Sequence, residues 1–276
     1  MKIIQITQDN ADQYAYDCMR RGNIFVRHPQ PYRESMLPAL KDHAGRDVFN
    51  FVAVEEDKPI GHLLLGTTTV LGIPLLIQPE VPVILCTYVK RGYEKKGVGT
   101  SLIEAAKSSF QDVPGLLILT TKSRMYMPFQ RFERFGFKEI YIHDFWKIGY
   151  LPIQQETVHV EFYEPELEWD YVKPFTLIPG GYCPFMLHIW QIQKRAAESF
   201  KHYAPVKEMR LEEARTKAPN VTPGFYVFGK TAPAKPMFGW QFKRYIQKAI
   251  RKEEKKTFGA ATPTAYPQKK SLTDNK

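Results

Sequence analysis

The 276-residue sequence lacks any long uninterrupted apolar run. A bilayer-spanning helix needs about 18 such residues, so a membrane protein of that kind is not expected. The start, Met1-Lys2-Ile3-Ile4-Gln5, has neither the apolar core nor the small-residue cleavage site of a secretory leader, and a cytoplasmic location is the expectation. Cysteine is scarce. Cys18, Cys86 and Cys183 are odd in number and far apart, which fits neither a disulfide framework nor a zinc-site spacing. Acidic residues are outnumbered, 29 against 39 Lys and Arg, for a net charge of +10. Such a surface attracts polyanions. No RNP or zinc-finger pattern accompanies the basic residues, so nucleic acid is not the expected partner, and the basic run at 243–256 reads as a solvated helix face. Also missing are the third glycine of a dinucleotide fingerprint and the Gly-Lys-Ser/Thr of a Walker loop.

What is present is a balance of 43% hydrophobic and 25% charged residues, that of a soluble globular protein. Alternating apolar patterns predict strands at 1–7, 50–55, 60–69, 81–89, 115–121 and 137–145. Helices are predicted at 10–21, 100–110 and 127–135. The order β-α-β-β-β-α-β-α-β implies a mixed sheet with helices on its faces. The strand at 81–89 reads as buried on both sides. Past residue 150 the pattern weakens around Glu161, Glu164, Glu166, Glu168 and Asp170, with one strand at 157–163. It resumes with strands at 174–178, 206–211 and 223–228 and helices at 184–200, 212–217 and 239–255. The expected organisation is therefore a mixed-sheet domain at 1–150, a smaller α/β domain at 151–256 and a disordered tail at 257–276, where Gly, Ala, Pro, Thr and Lys dominate.

The segment Tyr88-Val89-Lys90-Arg91-Gly92-Tyr93-Glu94-Lys95-Lys96-Gly97-Val98-Gly99-Thr100-Ser101-Leu102 takes a buried strand through a glycine turn into a helix. Gly97 and Gly99 let the backbone approach a ligand, and the N–H groups of the helix start, with the helix dipole, favour an anion. Lys95 and Lys96 add charge. This stretch closely resembles the acetyl-CoA motif of the GNAT acetyltransferases, and Phe132-Glu133-Arg134-Phe135-Gly136-Phe137 resembles the helix-to-strand end of the same fold. The resemblance implies acetyl-CoA as cosubstrate, with Glu94, Lys95, Lys96, Gly97, Val98, Gly99 and Thr100 at its pyrophosphate. Thr87, Tyr88 and Val89 would line its pantetheine arm on a strand that splays from 117–120. It implies direct attack of an amine, on a small molecule or a protein, on the thioester, which needs a base and a proton donor for the thiolate. The alternative is an acyl-CoA sensor or interaction module without turnover.

Two positions depart from the family pattern. Glu94 stands where Gln or Arg is usual, and Phe132 stands where many members carry Tyr. Tyr126 is then the nearest candidate proton donor, and Glu55 and Glu56 are candidate bases. In the second half, Gly181-Tyr182-Cys183-Pro184-Phe185-Met186 opens a long helix, and Val221-Thr222-Pro223-Gly224 precedes a strand. The pair resembles the thioredoxin-like fold, which implies a reactive Cys183 and a cis bond before Pro223. Met186 in place of a second cysteine excludes a two-thiol cycle. The combination resembles YoaP-type acetyltransferases.

Overall fold

The computed structural model describes residues 1–16, 18, 30–122, 127–143, 146–167, 174–180, 182–232 and 239–258. In chain order the elements are β1 (Lys2–Gln5), α1 (Ala11–Tyr14), α2 (Gln30–His43), β2 (Val48–Glu55), β3 (Lys58–Gly66), α3 (Thr68–Leu71), β4 (Leu75–Gln78), β5 (Val83–Val89), α4 (Val98–Ser109), β6 (Gly115–Thr121), α5 (Gln130–Glu133), β7 (Lys138–His143), β8 (Trp146–Pro152) and β9 (His159–Phe162). The second half adds β10 (Phe175–Ile178), α6 (Pro184–Glu198), β11 (Val206–Glu208), α7 (Leu211–Lys217), β12 (Gly224–Val227), β13 (Lys230–Thr231) and α8 (Gly239–Phe258).

The first half is a seven-stranded sheet in the order β1-β2-β3-β5-β6-β8-β7. All neighbours are antiparallel except β5 and β6. Its β2–β3 hairpin turns on Glu56 and Asp57, both at positive φ, the geometry that follows the twist of the two strands. One face carries α4, whose Val98, Leu102, Ile103 and Ala106 are buried at i, i+4, i+5 and i+8 against Phe51, Ala53, Leu63 and Leu65. Each such aliphatic side chain contributes about 1.5–3 kcal/mol when fully buried. Gly61 permits the approach, since a Cβ there would lie 2.8 Å from Tyr88 O and 3.0 Å from Val98 Cγ1. The other face packs Met36, Leu37 and Leu40 of α2 on Val48, Val52, Leu64 and Leu117.

The mixed α/β class holds, but several elements differ from expectation. Within the described residues the first helix is a single turn, Ala11–Tyr14, closed by Tyr16 at φ 57°. Helix α2, with Pro38 inside it, was not expected, nor were α3, β4 and β8. Proline lacks the N–H that helix interiors use, so the sequence hides such a helix. Strand β8 runs to Pro152, and β9 pairs with β4, so the chain past residue 150 still contributes to the first half.

The second half builds a four-stranded sheet in the order β11-β10-β12-β13, with β10 parallel to β11 and antiparallel to β12, and β12 antiparallel to β13. Helices α6 and α8 pack together on it. Phe242, Ile246 and Ile250 form the fully buried stripe of α8, and the Phe242 ring meets Phe225 edge-on at 5.5 Å. Lys243, Arg244, Lys248, Arg251 and Lys252 face solvent, as the charge pattern implies. Helix α8 includes residues 257 and 258, and the rest of the expected tail lies outside the described residues.

Candidate functional site

Strand β5 is the pivot of the site. Its pairing with β3 slips between Leu64 and Leu65, which oppose Cys86 and Ile84, so Leu85 is bulged out of the ladder. On the other side β5 pairs with β6 only at Val83↔Leu117 and Ile84↔Ile118. Strand β6 remains regular against β8 from Gly115 to Thr121, so β5 is the strand that leaves. A wedge opens between Cys86-Thr87-Tyr88-Val89 and the end of β6. These β5 residues are half-buried, not enclosed on both faces as the apolar pattern implied. A strand with one neighbour presents half of its backbone groups to the gap.

The wedge leads to the glycine turn. Gly92 (φ 90°), Lys95 (φ 63°) and Gly97 (φ 80°) are all left-handed, and Gly97 is the N-cap of α4. A Cβ on Gly97 would meet nothing within 4 Å, so the backbone there is open to a ligand. The first intrahelical bond is Ser101 N–H to Gly97 O, which leaves the preceding N–H groups of Val98, Gly99 and Thr100 at the anion-favouring end. Gly99 has another role: its Cα sits under Phe135 Cζ (3.7 Å from a Cβ position) and Val89, a packing contact with room for a methyl.

Lys95 and Lys96 are exposed, and Lys96 Nζ lies 5.1 Å from the centre of the Tyr93 ring. Glu94 turns back on its own loop, where its Oε2 accepts Gly92 N–H at 2.5 Å. Backbone hydrogen bonds from Glu94 and Gly92, with Arg91 and Arg131 nearby, hold its carboxyl below the usual range. The charge that departs from the family pattern is therefore tied into the 92–94 turn.

The remaining candidates separate. Phe132 is core, in contact with Phe135 and Phe137. Glu55 and Glu56 lie near Tyr93, whose pKa burial and then the Glu55 carboxylate push up, and they sit at the loop end of β5. The apex of the wedge, at Leu85, lies at the other end of β5, four residues or about 13 Å of extended strand from Val89. Tyr126 lies outside the described residues. Cys183 is the N-cap of α6 but is buried, packed with Ile189, Met186 and Leu85. The Thr222–Pro223 bond is not cis; among the described residues the cis bond is Gln78–Pro79. Pro223 nonetheless stays beside the turn, its ring placed against Gly180 and Gly72. Tyr226 fixes that turn by donating to Thr222 O at 2.7 Å and accepting Thr222 N–H at 3.2 Å.

Two residues were not legible in the sequence. His62 on β3 is buried beside Tyr88, with Nε2 3.6 Å from Cys86 Sγ and Nδ1 without a hydrogen-bond partner. Burial pulls its pKa down to about 4, so the ring is neutral. Tyr16 is buried with its hydroxyl unpartnered, and burial, then Cys183, Cys18, Tyr182 and Cys86, push its pKa well above the ordinary value. The three cysteines, remote in sequence, thus converge around one tyrosine. Among the described residues no cluster of His, Cys, Asp and Glu is arranged to hold a metal.

Residues 12–137 match the acetyltransferase (GNAT) family. This part of the chain is similar to GNAT acetyltransferases. Solved structures with a similar fold include aminoglycoside 6'-acetyltransferase type Ii (15% identity, 55% of this chain and 97% of that one, TM-score 0.42). Others are the PaiA N-acetyltransferase of Thermoplasma acidophilum in complex with coenzyme A (15%, 55% and 99%, TM-score 0.38) and an acetyltransferase of Thermus thermophilus (14%, 55% and 97%, TM-score 0.39). No curated protein matches the chain. No helix among the described residues is long and apolar enough to cross a membrane.

Proposed function

We propose that the protein is an N-acetyltransferase that moves an acetyl group from acetyl-CoA to an amine. The observation that carries this reading is the wedge between β5 and β6, continuous with the Gly97 turn. In it the backbone N–H groups of Val98, Gly99 and Thr100 hold the pyrophosphate, with Lys95 and Lys96 alongside. Thr87, Tyr88 and Val89 pair through their backbone with the pantetheine arm. Attack forms the C–N bond and breaks the C–S bond, and the coenzyme leaves as a thiolate that takes up a proton. Most of the acceleration in such a step comes from positioning the two reactants.

Tyr126, six residues before the Phe132 that stands at the family's tyrosine position, is kept as the candidate proton donor. The second half is read as thioredoxin-like. Its βαβαββα order and the central antiparallel position of β12 support this, as does the place of Pro223 beside the Cys183 turn. With Cys183 buried, its role is as a wall of the site.

The test uses the whole chain. Acetyl-CoA raises the melting temperature, and adding an amine acceptor releases CoA thiol at a rate above the amine-free rate. A shift without release for any of a panel of amines supports the acyl-CoA sensor instead. Absence of both removes the assignment.

A further inference from the structure

A cavity of about 370 Å³ lies between the two halves of the chain. Its volume is that of a small-molecule site. Leu85 and Leu119 line it from the first half: the first is the bulged residue at which β5 leaves β6, and the second directly follows the last paired residue of β6. The cavity therefore opens on the apex of the wedge. The opposite wall comes from the second half, where Met186 and Trp190 of α6 follow Cys183. Trp146 of β8 completes the apolar lining. Glu164 and Glu166, on the connection between the halves, and Lys230 also border the cavity. Lys230 Nζ holds Glu166 Oε1 at 3.0 Å, and Glu164 stands exposed beside them.

We infer that this cavity is the acceptor pocket, completed by the second half of the chain, and that its acceptor is a primary amine on a bulky apolar or aromatic body. The inference rests on the acetyltransferase reading above and adds the substrate class to it. Tryptophan rings, Met186 and the leucines suit an aromatic body, and with few polar groups among them they offer a hydrophilic chain few hydrogen bonds to replace those of water. The exposed carboxylates at the border attract the ammonium form from solvent. Inside apolar walls the charged form is disfavoured, so the amine loses its proton as it enters. That supplies the neutral nucleophile without a dedicated base, consistent with Glu55 and Glu56 standing at the far end of β5. The nitrogen then attacks the thioester carbonyl at the wedge apex. The C–S bond breaks, the thiolate accepts a proton and the amide nitrogen gives one up.

The test compares tryptamine and 2-phenylethylamine with ethanolamine and spermidine as acceptors for the full-length protein. The expected kcat/KM for the arylalkylamines is at least tenfold higher. Met186→Trp fills the pocket and raises the KM for tryptamine about tenfold, while the KM and the thermal shift for acetyl-CoA stay within twofold. Glu164→Lys, an exposed change that leaves the core intact, lowers kcat/KM for tryptamine about fivefold at low salt, and less in 0.5 M NaCl. Turnover of ethanolamine or spermidine equal to that of the arylalkylamines overturns the inference, as does an unmoved tryptamine KM in a folded Met186→Trp protein. If Met186→Trp does not fold, Glu164→Lys decides: unchanged tryptamine kinetics overturn the inference. In those cases acetyl-CoA binding and acetylation survive and the parent reading stands. If acetyl-CoA gives no thermal shift and no amine releases CoA, the parent reading falls as well.

Discussion

The chain makes the same local move twice. A strand runs into a short turn that opens a helix, once at Gly97 before α4 and once at Cys183 before α6. The first turn is solvent-exposed, holds three positive-φ residues and has empty space where a Cβ would stand. The second is buried against Leu85 of the other half. Helix starts of equal intrinsic polarity thus end with different roles. An N-terminus attracts an anion only if the anion can reach it and surrender its water there. At Gly97 the approach is open; at Cys183 the space is a cavity with largely apolar walls.

The comparison can be broken most sharply at Gly97. Gly97→Asp forces a side chain onto a left-handed backbone and sets a carboxylate against pyrophosphate. The lost contact costs up to about 3 kcal/mol, or roughly 100-fold in acetyl-CoA affinity, and the strain lowers folding stability by about 1–2 kcal/mol. Gly99→Ala, with room for its methyl, changes affinity less than about threefold. Isothermal titration of the two variants checks the pair, and equal losses would show that the left-handed turn is not what matters.

The buried side carries the pH dependence. Folded His62 protonates at about 4, below its ordinary value, whereas in the unfolded chain it does so near 6.5. Between those values the unfolded state binds more protons, so stability is full above about pH 6.5 and falls as pH drops toward 4. The total loss is about 3 kcal/mol. Melting curves from pH 7.5 to 4.5 should show this decline, and His62→Gln should flatten it. An unchanged slope would place the pH-sensitive group elsewhere.

The smallest effect concerns the thiols. Native alkylation by iodoacetamide should label Cys86, which is half-buried, several-fold faster than Cys183, which is buried. Peptide mass spectrometry ranks them. A faster Cys183 would mean that the cavity admits reagents freely and that the helix start activates the thiol.

Much of the first half was legible because its signals are local. The β2–β3 hairpin, the glycine turn and α4 each follow from a few neighbouring residues. The splay of β5 was implied by family resemblance and not by any pattern in 83–89, since it depends on a bulge against β3. Helix α2 was missed because Pro31 and Pro38 argue against a helix locally, while Met36, Leu37 and Leu40 find their partners on the sheet. In the second half β10, β11, β12, α6 and α8 were read from periodicity, but β13 and the trans bond at Pro223 were not. Tyr226 and the contacts with Gly72 and Gly180 shape that turn, and one of them comes from the other half of the chain.

By itself, then, the sequence determined where an open glycine turn stands before a helix and which segments alternate as strands and helices, because glycine placement and apolar spacing act within a few residues. The tertiary structure decided that Cys183 is a buried wall, that Cys18, Cys86 and Cys183 surround Tyr16, and that the wedge between β5 and β6 opens on a cavity shared with α6. Those are relations between segments far apart in the chain, from 68 residues between Cys18 and Cys86 to 165 between Cys18 and Cys183. They depend on which surfaces the two halves exclude from water together, and no spacing within either segment records that.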